Sequence, residues 1–234
     1  MSFAPYHQFR NAVRLQQLIE DFHSAGTITT QVYDGYSRYH PALIHKLKCA
    51  QHHLDRLEEK LTASDITEAQ NSAMDFTFAV NMHMDSFFYA GGSALDILAR
   101  EVIIYFGQPL PAMVYFKTAA TTISASHPGD PLLPRLANPP WKDEFTNYRN
   151  VLTHELVVVT QYQIDISCDG GKTTKKIRVP LPDDPRAAPG NRKYKKKREI
   201  LSYTTDHFRK MLKLINTIYG EIADRAESVG KLPL

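Results

Sequence analysis

The sequence predicts a mainly α-helical bundle with one β-hairpin inserted before the last helix. Leucine and alanine recur at alternating steps of four and three over residues 43–61, the stripe of an amphipathic helix. A similar apolar spacing over residues 208–222 predicts the final helix. Between them, the alternation over residues 162–166 followed by Asp169-Gly170-Gly171 is typical of a hairpin and its turn.

The same patterns place the other elements along the chain. Residues 76–105 are apolar over so much of the helix circumference that we expect this helix at the centre of the bundle. Gly35 and Pro41 predict a tyrosine-rich loop, and five of the fourteen prolines fall within residues 128–140 and predict another. Helices are predicted at residues 9–22, 43–61, from about 65 to 105, 113–124, from about 141 past 154, and from 200 onward. Asp65 with Glu68 resembles a capping box and predicts the start of the third helix.

None of these helices has an independent core, so residues 1–234 are predicted to form one domain with an insertion at about 157–199. A hydrophobic content of 43% and a charged content of 23% are those of a soluble globular protein. The first twenty residues lack an apolar segment, and the most apolar stretch contains several charges, which argues against a membrane span. Cys49 and Cys168 suggest no disulfide framework. We therefore expect a cytoplasmic protein.

The segment Arg149-Asn150-Val-Leu-Thr-His154 carries the strongest chemical signal in the chain. On a helix, Asn150 and His154 lie one turn apart on one face, whereas Arg149 lies about 140° from His154. An arginine binds phosphate oxygens through its guanidinium fork, and an imidazole moves protons near neutral pH. Together they could promote attack by an RNA 2′-hydroxyl on its own phosphate. The structural alternative is an arginine in a salt bridge and a histidine that caps the helix.

The context of this segment resembles the HEPN superfamily (higher eukaryotes and prokaryotes nucleotide-binding). The preceding long helix contains Ser93-Ala-Leu-Asp-Ile-Leu-Ala-Arg-Glu101, and the later segment reads Phe145-Thr-Asn-Tyr-Arg-Asn-Val-Leu-Thr-His154. In that superfamily, a helix rich in small residues with an alanine-leucine-acid step packs against a helix carrying an Arg-Asn-x-x-x-His signature. The resemblance covers about residues 65–156 and the last helix.

The resemblance implies an up-and-down helical bundle that forms a two-fold homodimer, with the motif helices meeting at the interface. Arg149 and His154 of both copies would line one cleft of a metal-independent ribonuclease without a cofactor, and Asn150 would orient the arginine or the substrate. Such proteins act in toxin–antitoxin, defence and RNA-processing systems, so an antitoxin protein is a possible partner. The sequence departs from one toxin subgroup, because Leu156 replaces the tyrosine expected two positions after the histidine. The superfamily also contains members without catalysis.

A basic run predicts where RNA would be held. Residues 186–198 contain seven basic residues and no acidic one, with Tyr194 available for stacking on a base. The predicted RNA-binding residues are Arg192, Lys193, Lys195, Lys196, Lys197 and Arg198. The alternative is a solvated, mobile loop whose charge only aids solubility.

The spacing of the ten histidines predicts no metal site, since no two-histidine pattern with a carboxylate appears. Asp85 and Asp96 lie eleven residues apart on one predicted face, and either could meet Arg149; surface or capping roles are the alternative.

Three hypotheses follow from the sequence. The first is a HEPN-like dimeric ribonuclease with Arg149 as the phosphate-binding cation and His154 as the general acid or base. The second is a non-catalytic HEPN-like bundle that binds RNA or a protein partner. The third is an unrelated helical scaffold in which the motif is coincidental.

Overall fold

The computed structural model describes residues 10–62, 72–137, 139–155, 157–159, 161–169, 172–230 and 232. The helices are α1 (Arg10–Ser24), α2 (Thr30–Thr62), α3 (Ala73–Tyr105), α4 (Phe116–Ser124), α5 (Leu133–Leu136), α6 (Pro140–His154) and α7 (Ile200–Val229). The strands are β1 (Gln163–Asp169), β2 (Lys172–Arg178), β3 (Pro180–Leu181) and β4 (Arg198–Glu199), with a short 3₁₀ turn at Pro189–Asn191.

The predicted mainly α architecture with a hairpin before the last helix is confirmed. β1 and β2 pair antiparallel from Gln163↔Arg178 to Asp169↔Lys172. Gly170 and Gly171 of the predicted turn, like Asp65 and Glu68 of the predicted capping box, lie outside the described residues. β3 and β4 form a second, two-residue antiparallel ladder. This ladder closes the loop of residues 182–197 that contains most of the basic run. No helix in the described parts of the chain is long and apolar enough to cross a bilayer.

The chain divides into two compact units, whose boundaries fall inside or close to helices. Unit 1 contains Met1–Leu47, Gly91–Lys142 and Arg209–Leu234. Unit 2 contains Lys48–Ala90 and Asp143–Phe208.

A buried polar cluster lies in unit 1. Glu101 is 0% exposed and accepts hydrogen bonds from the hydroxyls of Tyr105 at 2.8 Å and Tyr219 at 2.5 Å. His40 Nδ1 lies 3.0 Å from the same carboxylate. Burial raises the pKa of both tyrosines well above its usual value, so both remain donors to the carboxylate. A buried carboxylate requires partners of this kind, because an unpaired one would lose its hydration without compensation.

The loop predicted around Gly35 and Pro41 is wrong, because α2 runs through both residues. A Cβ atom on Gly35 would lie 2.7 Å from Ile104 Cδ1, so glycine allows α2 to approach α3 closely in unit 1. Val32, Tyr36 and His40 are buried at helical spacing on either side of these residues. Their burial outweighs the cost of roughly 3 kcal/mol that a proline imposes inside a helix.

An aromatic cluster forms the core of unit 2 and fixes α6 against α3. The Phe88 ring lies 4.8 Å from the Phe145 ring and 5.7 Å from the Tyr148 ring, measured between centroids. Phe87, which is also on α3, contacts Phe145 on α6 and Phe208 on α7. Each of these five side chains is at most 2% exposed, and burying one phenylalanine is worth roughly 1.5–3 kcal/mol. The orientation of α6 about its own axis is therefore set by packing.

The first half of α3 is less enclosed than its composition predicts. Met74, Phe78, Met82 and Tyr89 are 78%, 69%, 45% and 48% exposed. Their spacing places them within about 80° of one face of the helix, over a length of about 22 Å. We call these four residues the α3 stripe. The prediction of a uniformly central helix is wrong here, because these four side chains remain exposed.

Candidate functional site

The three residues of the motif lie in the last two turns of α6. Arg149 and Asn150 are partly exposed, and His154, the last residue of the helix, is exposed. Phe145, Tyr148 and Val151 form the buried side of the same helix. The packing of this side turns the motif away from the core, which leaves His154 exposed and Arg149 and Asn150 partly exposed.

The spacing of the motif separates its two charged groups. Arg149 and His154 are five residues apart, which is about 7.5 Å along the helix axis and about 140° around it. Asn150 stands between them, about 40° from His154. One copy of α6 therefore presents the guanidinium and the imidazole on different sides of Asn150. A phosphate can meet both groups if the arginine reaches around the helix or if a second copy supplies one of them.

Arg149 has no acidic partner in the part of the chain that the structure describes. Its Nε is buried and makes no hydrogen bond there. The two carboxylates considered from the sequence have other partners: Asp85 accepts a hydrogen bond from Thr153 Oγ1 at 3.4 Å, and Asp96 accepts one from the Phe116 amide at 3.1 Å. The capping alternative thus holds for Asp96. A guanidinium without a neutralising carboxylate is suited to bind an anion.

Two side chains hold the segment that follows His154. Asn81 on α3 forms a pair of hydrogen bonds with Val159, donating to its carbonyl at 2.8 Å and accepting from its amide at 3.0 Å. Arg192 donates to the carbonyls of Val158 at 2.6 Å and Val157 at 2.8 Å. The chain beyond the motif is therefore fixed from two directions, which limits the positions that the end of α6 can take.

Arg192 differs from the other predicted RNA-binding residues. It is only 9% exposed, and in addition to its bonds to Val157 and Val158 its Nε donates to the Ala187 carbonyl at 3.2 Å. These bonds occupy the guanidinium with backbone acceptors inside the unit. The structure thus places Arg192 in the scaffold of the loop, whereas the sequence predicted an RNA contact.

The remaining basic residues divide into an exposed set and a paired one. Lys193, Lys195, Lys196 and Lys197 are exposed. Arg198 is partly buried and forms an ion pair with Glu144 on α6. Lys196 Nζ lies 4.0 Å from the same carboxylate, a surface contact of little energetic weight. The ion pair of Arg198 attaches the end of the loop to the first half of α6.

The loop of residues 182–197 is ordered by its own hydrogen bonds. The carboxylate of Asp183 accepts from the amides of Lys195 and Lys196, each at 2.9 Å. The bond from the Lys196 amide is the main cause that lowers the pKa of Asp183. Tyr148 on α6 donates to the Pro182 carbonyl. These contacts argue against the mobile-loop alternative and place four exposed lysines on a structure attached to the motif helix.

Asn81, Glu144 and Asp183 contribute to this arrangement, and none of the three was predicted from the sequence. Asn81 lies 78 positions from its partner, and Glu144 lies 54 from Arg198. No spacing rule connects residues so distant in the chain. Asp183 offered a weak signal, because an aspartate between prolines often accepts backbone hydrogen bonds in turns.

A cluster of three metal ligands or a surface depression would be an alternative to the motif helix. In the described ranges, no three histidine, cysteine, aspartate or glutamate side chains converge to hold a metal ion. Unit 1 has a shallow depression of about 560 Å³, lined mainly by prolines. Its one charged residue, Arg135, is paired with Glu221. The motif helix of unit 2 therefore remains the better candidate.

Comparison with known proteins gives no independent assignment. No protein-family model matches the chain, and neither the curated proteins nor the solved structures contain a significant match.

Proposed function

We propose that the protein is a metal-independent endoribonuclease whose site is built from Arg149, Asn150 and His154 at the contact between two copies. One observation carries the proposal: a partly buried guanidinium without an acidic partner in the described chain lies on the same helix as an exposed imidazole. Such a pair supplies a phosphate-binding cation and a group for proton transfer. The cytoplasm, where RNA is abundant, is the proposed location.

The chemistry is an internal transesterification of RNA. One His154 accepts the proton of a ribose 2′-hydroxyl as its oxygen attacks the adjacent phosphorus. The bond from phosphorus to the 5′-oxygen breaks, and the 5′-oxygen takes the proton from the imidazolium that this His154 has become. Arg149 neutralises the charge that grows on the non-bridging oxygens, and Asn150 orients the arginine or the phosphate. The products carry a 2′,3′-cyclic phosphate and a 5′-hydroxyl.

The α3 stripe supports the choice of a second copy as the partner. Asp85 lies on the same face as the stripe and bonds Thr153, so this apolar face borders the last turn of α6. An exposed apolar patch of this kind marks an interaction surface. A two-fold axis at the stripe would pair it with itself and bring two motif helices close together. That arrangement can bring Arg149 of one copy next to His154 of the other.

The ordered basic loop supports RNA as the substrate. Its four exposed lysines, Lys193, Lys195, Lys196 and Lys197, have no acidic neighbour within the run itself. Phosphate contacts of this type supply sequence-independent affinity. The loop is attached to α6 through Arg198 and Glu144, so RNA bound there would lie next to the motif.

A second candidate function is binding of RNA or of a protein partner, such as an antitoxin, without catalysis. The observation that favours it is that, within the described residues, no hydrogen bond orients the His154 ring. Catalytic bases are usually held by a third group.

Incubation of purified protein with a mixed RNA in EDTA separates the two functions. The ribonuclease proposal predicts cleavage with 2′,3′-cyclic phosphate ends, and a loss of about 10²–10⁴-fold in rate for His154→Ala. His52→Ala is the matched control, since it also removes an exposed histidine. Intact RNA that is nevertheless retarded in a gel would support the binding function. Cleavage at the wild-type rate by His154→Ala would refute the proposed site.

A further inference from the structure

Two histidines on different helices of unit 2 approach each other closely. Nδ1 of His53 on α2 lies 3.2 Å from Nδ1 of His83 on α3, and the ring centroids are 5.4 Å apart. Both side chains are partly exposed, so the pair can be reached from solvent. Thirty residues separate them in the chain, and spacing alone could not bring them together.

The distance between the two nitrogens suits chelation of a metal ion. Imidazole nitrogens bind Zn²⁺ at about 2.0–2.1 Å. If a Zn²⁺ ion lay at that distance from both Nδ1 atoms, the Nδ1–Zn–Nδ1 angle would be about 103°, close to the tetrahedral value. The separation of the two nitrogens therefore matches that of two ligands of one ion. Without a metal, one ring carries a hydrogen on its Nδ1 and donates it to the Nδ1 of the other ring.

The surroundings keep both rings in the form that binds metals. Burial is the main cause that lowers the pKa of His53 and of His83, so the neutral imidazole is favoured at neutral pH. Arg56 and Lys60 also lower the pKa of His83, and Glu59 raises it. The two cations oppose the binding of a metal ion, whereas the carboxylate favours it.

We propose that His53 and His83 form a two-imidazole site for a divalent transition-metal ion such as Zn²⁺, which would link α2 to α3. Water would complete the coordination, because no third histidine, cysteine or carboxylate converges there among the described residues. His52 is a neighbour of His53, with ring centroids 5.2 Å apart in an edge-on arrangement, and it is not a ligand in this proposal. The site is independent of the ribonuclease proposal, which needs no metal.

Titration of the full chain, without a polyhistidine tag and after treatment with EDTA and dialysis, tests this site. We expect ZnCl₂ to bind with one ion per chain in calorimetry and to raise the unfolding temperature. His53→Gln and His83→Gln should each weaken Zn²⁺ binding at least about tenfold, since even changes outside the coordination sphere cost about 10–100-fold. Circular dichroism without metal verifies that both variants are folded.

His52→Gln is the control for a non-specific loss of imidazole, and it should bind Zn²⁺ as the wild type does. The proposal is overturned if the wild type takes up no Zn²⁺ at millimolar concentration. It is equally overturned if His53→Gln and His83→Gln bind as tightly as the wild type, or if His52→Gln loses as much affinity as they do.

Discussion

The guanidinium of Arg192 donates a hydrogen bond of 2.6 Å to the carbonyl of Val158, four residues beyond His154. This bond joins the basic loop to the chain that leaves the motif helix. It also separates one residue of the basic run from its neighbours: Arg192 stabilises the unit, while the lysines around it face solvent.

Replacement of Arg192 should therefore destabilise the protein. Arg192→Gln removes charge-assisted bonds to backbone carbonyls, and each bond of this type contributes about 1.5–3 kcal/mol. We expect the free energy of unfolding in urea to fall by roughly 2 kcal/mol or more. Lys193→Gln, at the next position, is the control and should change it by less than about 0.5 kcal/mol. Equal stability of the two variants would contradict the assigned role of Arg192.

The exposed lysines should control affinity for RNA. Simultaneous replacement of Lys195, Lys196 and Lys197 by glutamine should weaken binding to single-stranded RNA. It should also make the slope of log K against log salt shallower by about 2, because each lost phosphate contact removes about 0.7 from that slope. Fluorescence anisotropy between 50 and 300 mM salt measures both quantities. Arg209, Lys210 and Lys213 on α7 are exposed and provide a matched triple substitution, which should leave the slope unchanged.

The order of the basic loop should depend on pH through Asp183. Because the folded state lowers the pKa of this carboxyl, the ionised form stabilises the loop. That stabilisation is present above the unfolded pKa of about 3.9 and is lost as pH falls through the lower folded value. We expect the amides of Lys195 and Lys196 to lose protection from hydrogen exchange below about pH 4, relative to helix amides. Asp183→Asn should cause the same loss at pH 7.

The α3 stripe should determine the oligomeric state. Phe78→Glu places a charge in the middle of the stripe, where a second copy would have to desolvate it. We expect light scattering to show a dimer for the wild type and a monomer for this variant at micromolar concentration. Val13→Glu on α1 is the control, because Val13 is also 66% exposed but lies outside the stripe. A monomeric wild type would contradict the proposed use of this face.

The sequence predicted the elements with strong periodicity. The apolar face of residues 43–61 is buried, at 0–6% exposure for its six apolar members, and the two predicted hairpin strands pair antiparallel. The start of α2 was missed, because Gly35 reads as a helix breaker until its contact with Ile104 is known. Periodicity reports a local preference, whereas packing between distant helices determines where a helix begins.

The candidate site was predictable only in part. The presence of Arg149, Asn150 and His154 on one helix followed from the sequence, and their accessibility follows from the packing of Phe145 and Tyr148. The structural role of Arg192 was not predictable, because in the sequence it looks like every other basic residue of the run. The same limit applies to His53 and His83, whose contact depends on the pairing of two helices.

The most direct test of the central claim is complementation between two inactive variants. If the site takes Arg149 from one copy and His154 from the other, an equal mixture of Arg149→Ala and His154→Ala, refolded together, contains heterodimers with one intact site. The account predicts that this mixture recovers about a quarter of the wild-type RNA cleavage rate in EDTA, while each variant alone remains inactive. No recovery from a mixture that has demonstrably exchanged subunits would contradict it.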